Sequence, residues 1–96
     1  MPTKQKIAFD IDGTLETYDN GPRLWLHENA RKFAQQGHDV IVWSGGGVPY
    51  AENYVKKHGL PARVCMKAGE LVNIAFDDMV DSLSGADITI RISQDV

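Results

Sequence analysis

Two carboxylates lie close together near the start of the chain, in the segment IAFDIDGTL. Asp10 ends an apolar run, and Asp12 comes just beyond it, before a glycine and a threonine. Two close acids in different surroundings tend to acquire unequal proton affinities, so that one can act as a nucleophile while the other moves protons. Asp10 and Asp12 are therefore the candidate catalytic residues.

Two further apolar runs lead to residues that could bind an anion. The run DVIVW ends at Ser44, and a glycine turn follows from Gly45. Lys67 comes directly after the short run ARVCM. A hydroxyl, an ammonium and the N–H groups of a glycine turn are donors that hold phosphate oxygens. Ser44, Gly45 and Lys67 are therefore predicted to bind a phosphoryl group.

A fourth apolar run, LVNIAF, ends in the acidic pair Asp77 and Asp78. The carboxyl ends of parallel strands share one rim, so this pair is expected to meet Asp10 and Asp12 there. Carboxylates gathered together repel each other unless a cation lies among them, and oxygen ligands favour a hard ion such as Mg²⁺. The sequence therefore predicts a magnesium site, and it leaves open which acid of the late pair is the direct ligand.

Helical periods alternate with the apolar runs. Leu26, Ala30 and Phe33 recur at helical spacing, and a second such period begins at Ala51. Three strand-like runs follow, the last of them ITIRI. The order strand, helix, strand, helix, strand, strand, strand predicts an α/β three-layer sandwich with a Rossmann-like, mainly parallel sheet.

Composition and length limit the classes of protein that the chain can be. Its 96 residues, 43% hydrophobic and 24% charged, predict a single globular domain over residues 1–96. The net charge of −3 disfavours nucleic acid as a partner. A lone cysteine and a polar start, MPTKQK, with no long apolar run, predict a cytoplasmic protein without a membrane partner.

The remaining noteworthy side chains carry weaker signals. His27 and His58 are expected on the surfaces of their helices, with no role as ligands. Tyr18 and Arg23 follow the first acids closely enough to contact a substrate. Asp81 is expected at the surface.

The motifs together resemble those of the haloacid dehalogenase (HAD) superfamily. FDIDGTL is similar to its first motif, an apolar strand followed by D-x-D-G-T-L, and VIVWS resembles the second, an apolar strand ending in serine or threonine. Lys67 stands where the lysine of the third motif would be, and IAFDD resembles the acidic fourth motif. The resemblance spans residues 7–78, most of the chain.

The resemblance implies a Mg²⁺-dependent phosphomonoester hydrolase. Asp10 would attack phosphorus in line and become an aspartyl-phosphate. Asp12 would protonate the leaving group and later deprotonate the hydrolytic water, while its backbone carbonyl helps to hold Mg²⁺. Ser44 and the Gly45 backbone would bind phosphoryl oxygens.

The third and fourth motifs complete the implied site. Lys67 would neutralise both the nucleophile and the phosphoryl group. Asp78, alone or with Asp77, would join Asp10 and Asp12 in holding the metal.

The resemblance also implies the strand order 5-4-1-2-3, and the chain leaves no room for the cap domain that many members carry. A capless site is open, which suggests a large substrate, a partner that serves as lid, or low selectivity. The edge beyond the fifth strand would be available for a homodimer.

Other functions remain open on the sequence. One is a non-catalytic HAD-like module that binds metal or phosphate, or serves as a subunit. Another is a phospho-acceptor domain of the response-regulator type, which the place of Asp10 on the first strand rather than the third disfavours. The substrate would be phosphorylated, but sugar phosphates, nucleotides, nucleic-acid ends and phosphoproteins are not distinguished.

Overall fold

Five strands and two helices follow one another in the part of the chain that the computed structural model describes, residues 3–79 and 85–94. Asp81 lies outside this part. In chain order the elements are β1 (Lys6–Asp10), α1 (Leu24–Gln35), β2 (Asp39–Trp43), α2 (Val48–His58), β3 (Arg63–Val64), β4 (Val72–Asp77) and β5 (Ala86–Arg91).

The strands form one sheet in the order β3-β2-β1-β4-β5, and all of the neighbouring pairs are parallel. The predicted order 5-4-1-2-3 is the same arrangement read from the other edge, so the Rossmann-like sheet is confirmed. β1 is the central strand, with Asp10 opposite Trp43 of β2 and Phe9 opposite Phe76 of β4. The carboxyl ends of β1, β2 and β4 therefore lie side by side.

Both helices pack on one face of the sheet. The rings of Phe9 and Phe76 are stacked with centroids 4.7 Å apart, and Phe33 of α1 lies 6.3 Å from each of them. Ala51 and Tyr54 of α2 belong to the same buried cluster. Burial of these aromatic rings fixes α1 and α2 against the central strands.

The opposite face of the sheet has a smaller buried cluster. Its core contains Ala8, Ile41, Trp43 and Ala75, and in the described residues Cys65, which follows β3, packs against it. The reason lies in the connections, which are right-handed between parallel strands. The strand order reverses after β3, so the connection to β4 crosses the face that α1 and α2 leave free.

The place of His27 differs from the expected helix surface. This side chain is buried, and its Nε2 lies 3.1 Å from the Leu15 carbonyl oxygen and 2.9 Å from the Tyr54 hydroxyl. Burial lowers the pKa of His27, so the ring is held neutral. Helical spacing alone could not predict this, because the loop after β1 and α2 close over α1 from distant parts of the sequence.

No described helix combines the length and apolar character that crossing a bilayer requires. Within residues 3–79 no cap domain is inserted, because the residues between β1 and α1 form only a short loop and those between β2 and β3 form α2.

Candidate active site

The turn after β1 reverses the chain within a few residues. The Gly13 N–H donates to the Glu16 carbonyl at 2.8 Å, and the Leu15 N–H donates to the Asp10 carbonyl at 3.2 Å. Glu16 forms isolated bridges with Asp12 and with Pro22, so residues 12–22 form a compact loop, which we call the flap. The flap holds the Asp12 side chain at the exposed surface while the Asp10 side chain remains buried.

Two side chains fix the turn by donating hydrogen bonds to its backbone carbonyls. Arg23 is buried, and its Nε donates to the Thr14 carbonyl at 2.8 Å. Gln94 donates from Nε2 to the Gly13 carbonyl at 2.7 Å. The sequence left Arg23 open as a substrate contact, but in the structure its guanidinium serves the backbone of the turn.

Lys67 reaches the rim from the segment that crosses the second face of the sheet. Its Nζ lies 3.3 Å from Asp10 Oδ1 and 3.0 Å from Asp77 Oδ2. The Asp77 carboxylate is fully buried, and its Oδ1 accepts a hydrogen bond from the Met79 N–H at 2.8 Å. Lys67 is therefore the cation that balances two buried acids at the ends of neighbouring strands.

The acids at the ends of β1 and β4 form a cluster that could hold a metal ion. Asp10, Asp77 and Asp78 each offer a carboxylate oxygen within 4.8 Å of the others. Asp78 is only partly buried, and its Oδ2 accepts a hydrogen bond from the Tyr18 hydroxyl at 2.9 Å. Three carboxylates facing one ammonium leave negative charge uncompensated, and this donor set of hard oxygens suits a divalent cation.

The Asp12 carboxylate lies outside that cluster. Its Oδ1 accepts a hydrogen bond from the Tyr50 hydroxyl at 2.7 Å, from the first turn of α2. The side chain is therefore separated from the buried acids and held toward solvent. A metal role for Asp12 remains the one predicted for its backbone carbonyl.

The loop after β2 carries the residues that the sequence predicts to bind an anion. Ser44 follows Trp43, the β2 partner of Asp10, and its Oγ accepts a hydrogen bond from the Gly46 N–H at 3.0 Å. The Ser44 hydroxyl proton remains available to an anion. A side chain at Gly45 would meet no atom within 4 Å, so this backbone faces open space.

Two tyrosines of the site were missed as partners of its acids. Tyr18 hydrogen-bonds Asp78 from the flap, and Tyr50 hydrogen-bonds Asp12 from α2. These contacts raise the pKa of each hydroxyl to about 12. Tyr18 was predicted only as a substrate contact, and nothing in the spacing of Tyr50 distinguishes it from an ordinary helix residue.

Gly13 lies where the flap approaches Asp78 most closely. Its φ is +81°, and a Cβ at this position would lie 2.6 Å from Asp78 Cγ and 2.7 Å from the Tyr18 hydroxyl oxygen. We expect Gly13→Ala to lower the free energy of unfolding by about 2 kcal/mol, mostly from left-handed backbone strain and in smaller part because the ends of the Asp78 and Tyr18 side chains must move aside. Chemical denaturation measures it.

Gly21 provides the matched control for that substitution. Its φ is +77°, but a Cβ there would meet nothing within 4 Å. Gly21→Ala should therefore lower the free energy of unfolding by only the backbone contribution, about 1 kcal/mol. Equal losses for the two variants would contradict close packing of the flap against Asp78.

The Asp10 carboxyl is strongly perturbed. Burial and the neighbouring Asp77 carboxylate raise the pKa of Asp10 from 3.8 to about 7, and the attraction of Lys67 opposes them only in part. A carboxyl whose pKa is raised on folding stabilises the native state below its unfolded pKa and loses this contribution as pH rises through its folded pKa. The affected range extends from about pH 4 to about pH 7.

We therefore expect the metal-free protein to lose stability through Asp10 over that range. Melting temperatures of wild type and Asp10→Asn measure the effect, because asparagine cannot ionise and the other titrating groups are shared. Wild type should lose more than the variant as pH rises, and added Mg²⁺ should raise the wild-type Tm more at about pH 8 than at about pH 6. Parallel pH profiles for the two proteins would contradict a buried, destabilised Asp10.

The family profile of the haloacid dehalogenase-like hydrolases matches residues 7–89, a span that runs from β1 into β5. The chain therefore belongs to this family of hydrolases, and the membership expected from its motifs is confirmed. Comparisons with curated proteins and with solved structures find no match. Hydrolases of this family typically use a divalent metal, in agreement with the acidic cluster of Asp10, Asp77 and Asp78.

Proposed function

We propose that this hydrolase is a phosphomonoesterase that works through a phosphoryl group carried on Asp10. The observation that supports it most is the position of the Lys67 ammonium, 3.3 Å from Asp10 Oδ1 and 3.0 Å from Asp77 Oδ2. A lysine in this place holds the nucleophilic carboxylate in position and supplies a positive charge for the phosphoryl oxygens.

In the first step an Asp10 carboxylate oxygen attacks phosphorus. The new Oδ–P bond forms as the bond from phosphorus to the ester oxygen breaks, and Asp12 gives its proton to the departing oxygen. Tyr50 holds the other side of this acid through its 2.7 Å hydrogen bond, which fixes the direction in which Asp12 faces. Asp12 requires exposure for this role, because its carboxyl must reach the leaving-group oxygen outside the cluster of buried acids.

In the second step water replaces the Asp10 carboxylate on phosphorus. Asp12, now ionised, takes a proton from the water, the new P–O bond forms, and the Oδ–P bond of Asp10 breaks to release inorganic phosphate. The Ser44 hydroxyl and the Gly45 N–H hold phosphoryl oxygens through both steps, and Lys67 offsets their charge.

The cation that we propose for the acidic cluster is Mg²⁺. Asp10 and Asp78 would hold it directly, together with the Asp12 carbonyl, because the Asp77 carboxylate already binds Lys67 and the Met79 N–H. When bound, Mg²⁺ would neutralise phosphoryl oxygens and orient the substrate for attack.

The experiment that tests this function is a turnover assay over a panel of phosphomonoesters. Purified protein should release inorganic phosphate from an aryl phosphate with Mg²⁺ and lose that activity with a chelator. Binding of Mg²⁺ or a phosphate analogue without turnover of any ester would favour the alternative, a non-catalytic member of the family.

The remaining expectations are proposals of the same kind. We propose a cytoplasmic single-domain protein with a phosphorylated substrate and without nucleic acid or membrane as a partner. β5 is an edge of the sheet in the described residues, and its Ile88 and Ile90 side chains are exposed, so this edge is the proposed contact of a homodimer.

A further inference from the structure

A pocket opens beside Asp12, between the flap and α2. Its volume is about 240 Å³, and we call it the side pocket. Two of its residues also contact Asp12: Tyr50 through its hydroxyl and Glu16 through the backbone bridge of the flap. The residues that line it are Glu16, Tyr50, Asn53, Tyr54 and Lys57.

The Glu16 carboxylate is held in place by a chain of buried polar groups. The Tyr54 hydroxyl donates to Glu16 Oε1 at 3.0 Å, and the His27 Nε2–H donates to the Tyr54 oxygen at 2.9 Å. His27 is 3% exposed and Tyr54 is 7% exposed. Two buried polar side chains therefore fix one carboxylate at the wall of the pocket, while its Oε2 remains available.

One side of the pocket is formed by α2, and within the described residues two of its polar side chains there have no partner. Tyr50, Asn53 and Lys57 lie three and four residues apart in succession, on one face of the helix. The Asn53 amide and the Lys57 ammonium are exposed, and within the described residues neither makes a hydrogen bond or an ion pair. The pocket thus offers an acceptor, an amide, a donor and an aromatic ring.

We propose that the side pocket binds the leaving group of the substrate, and that this group is a neutral sugar or polyol. The inference rests on the proposed function, because it assumes that Asp12 protonates the departing oxygen. The charges of Glu16 and Lys57 balance, so neither a second phosphate nor an amine on the leaving group would gain net electrostatic attraction from the pocket. Hydroxyl groups, in contrast, can bind the carboxylate, the amide and the ammonium at once.

The size of the pocket agrees with a small ring. Pockets for drug-sized ligands have volumes of roughly 300–1,000 Å³, and this one, at about 240 Å³, is smaller. The Tyr50 ring adds an apolar surface against which the C–H face of a sugar can pack. A capless hydrolase would in this way obtain a wall for its leaving group from α2.

The test compares a hexose phosphate with p-nitrophenyl phosphate, using wild type, Asn53→Ala and Lys57→Met. Each variant removes hydrogen bonds to hydroxyl groups, so the ratio of kcat/KM for hexose phosphate to that for the aryl ester should fall about tenfold. Lys56→Met is the matched control, since Lys56 is a neighbouring exposed lysine that does not line the pocket. Its ratio should equal that of wild type.

Three outcomes would overturn the inference. Equal ratios in wild type, Asn53→Ala and Lys57→Met would show that the side pocket does not bind the leaving group. A preference for a nucleoside monophosphate or a phosphopeptide over every sugar and polyol phosphate would contradict its chemistry while the proposed function stands. No turnover of any ester, the aryl phosphate included, would overturn the proposed function together with the inference.

Discussion

Asp10→Asn is expected to lower kcat by about 10⁴-fold or more, because removal of an enzymatic nucleophile leaves only the contribution of binding and electrostatics. An amide in place of the carboxylate cannot form a stable bond to phosphorus. The loss should appear with every phosphomonoester that wild type hydrolyses. Initial rates with saturating Mg²⁺ and an aryl phosphate measure it.

The surroundings of Asp10 favour a folded Asp10→Asn variant. The Asp10 side chain is buried beside Asp77, and an uncharged amide relieves their repulsion, so Asp10→Asn should remain folded. Asp19→Asn is the control, since Asp19 is an exposed acid of the flap outside the acidic cluster. The control should retain wild-type rates. Wild-type rates in Asp10→Asn would end the proposal of an aspartyl-phosphate.

Lys67→Met is expected to lower kcat/KM by about 10²–10³-fold, since a preorganised charge at a phosphoryl group contributes on that scale. Methionine preserves most of the length and the apolar stem but removes the ammonium from Asp10 and Asp77. The buried Asp77 carboxylate would then retain only the Met79 N–H among the contacts described above. Steady-state kinetics with an aryl phosphate measure the effect.

Lys67→Arg separates charge from geometry in the same experiment. Arginine restores the positive charge, but its wider guanidinium cannot occupy the space between the two carboxylates in the same way, so recovery should be partial. Lys32→Met serves as control, because Lys32 is exposed on α1, far from the rim in the fold. Full activity of Lys67→Met would place Lys67 outside the phosphoryl site.

The edge of the sheet at which the candidate site lies could be predicted from the sequence, because it depends on local patterns. Apolar runs that end in Asp10, Ser44 and Asp77 are strands with polar ends, and parallel strands bring such ends to one rim. The position of Lys67 depended in addition on the family resemblance. No local pattern determines how the segment after β3 crosses the second face of the sheet.

Contacts between distant segments of the chain could not be predicted from the sequence. The hydrogen bonds of Tyr18 to Asp78 and of Tyr50 to Asp12 join residues 60 and 38 positions apart, so spacing along a helix or strand cannot indicate them. The burial of His27 arises in the same way, from contacts with the flap and with α2.

The fold class was predicted correctly, but the sequence did not indicate which segment packs on the second face of the sheet. The nearly continuous apolar run of β2 indicates burial on both sides, which helices usually provide in α/β proteins. In the described residues Cys65, which follows β3, packs against the cluster that contains Ile41 and Trp43. Burial of a strand reveals that something covers it, but not which kind of element.

The relative roles of Asp77 and Asp78 were also left open by the sequence and are separated by burial. Asp77 is fully buried and paired with Lys67, whereas Asp78 is partly exposed and held by Tyr18. Asp78 is therefore the acid of this pair that is free to approach a cation.

A crystal structure with Mg²⁺ and beryllium trifluoride tests the central claim most directly, because this anion mimics a phosphoryl group on a carboxylate. The account predicts the trifluoride on an Asp10 oxygen, contacted by Ser44, the Gly45 N–H and Lys67, with Mg²⁺ held by Asp10 and Asp78. Beryllium trifluoride at another residue, or Mg²⁺ bound away from the rim of the sheet, would contradict it.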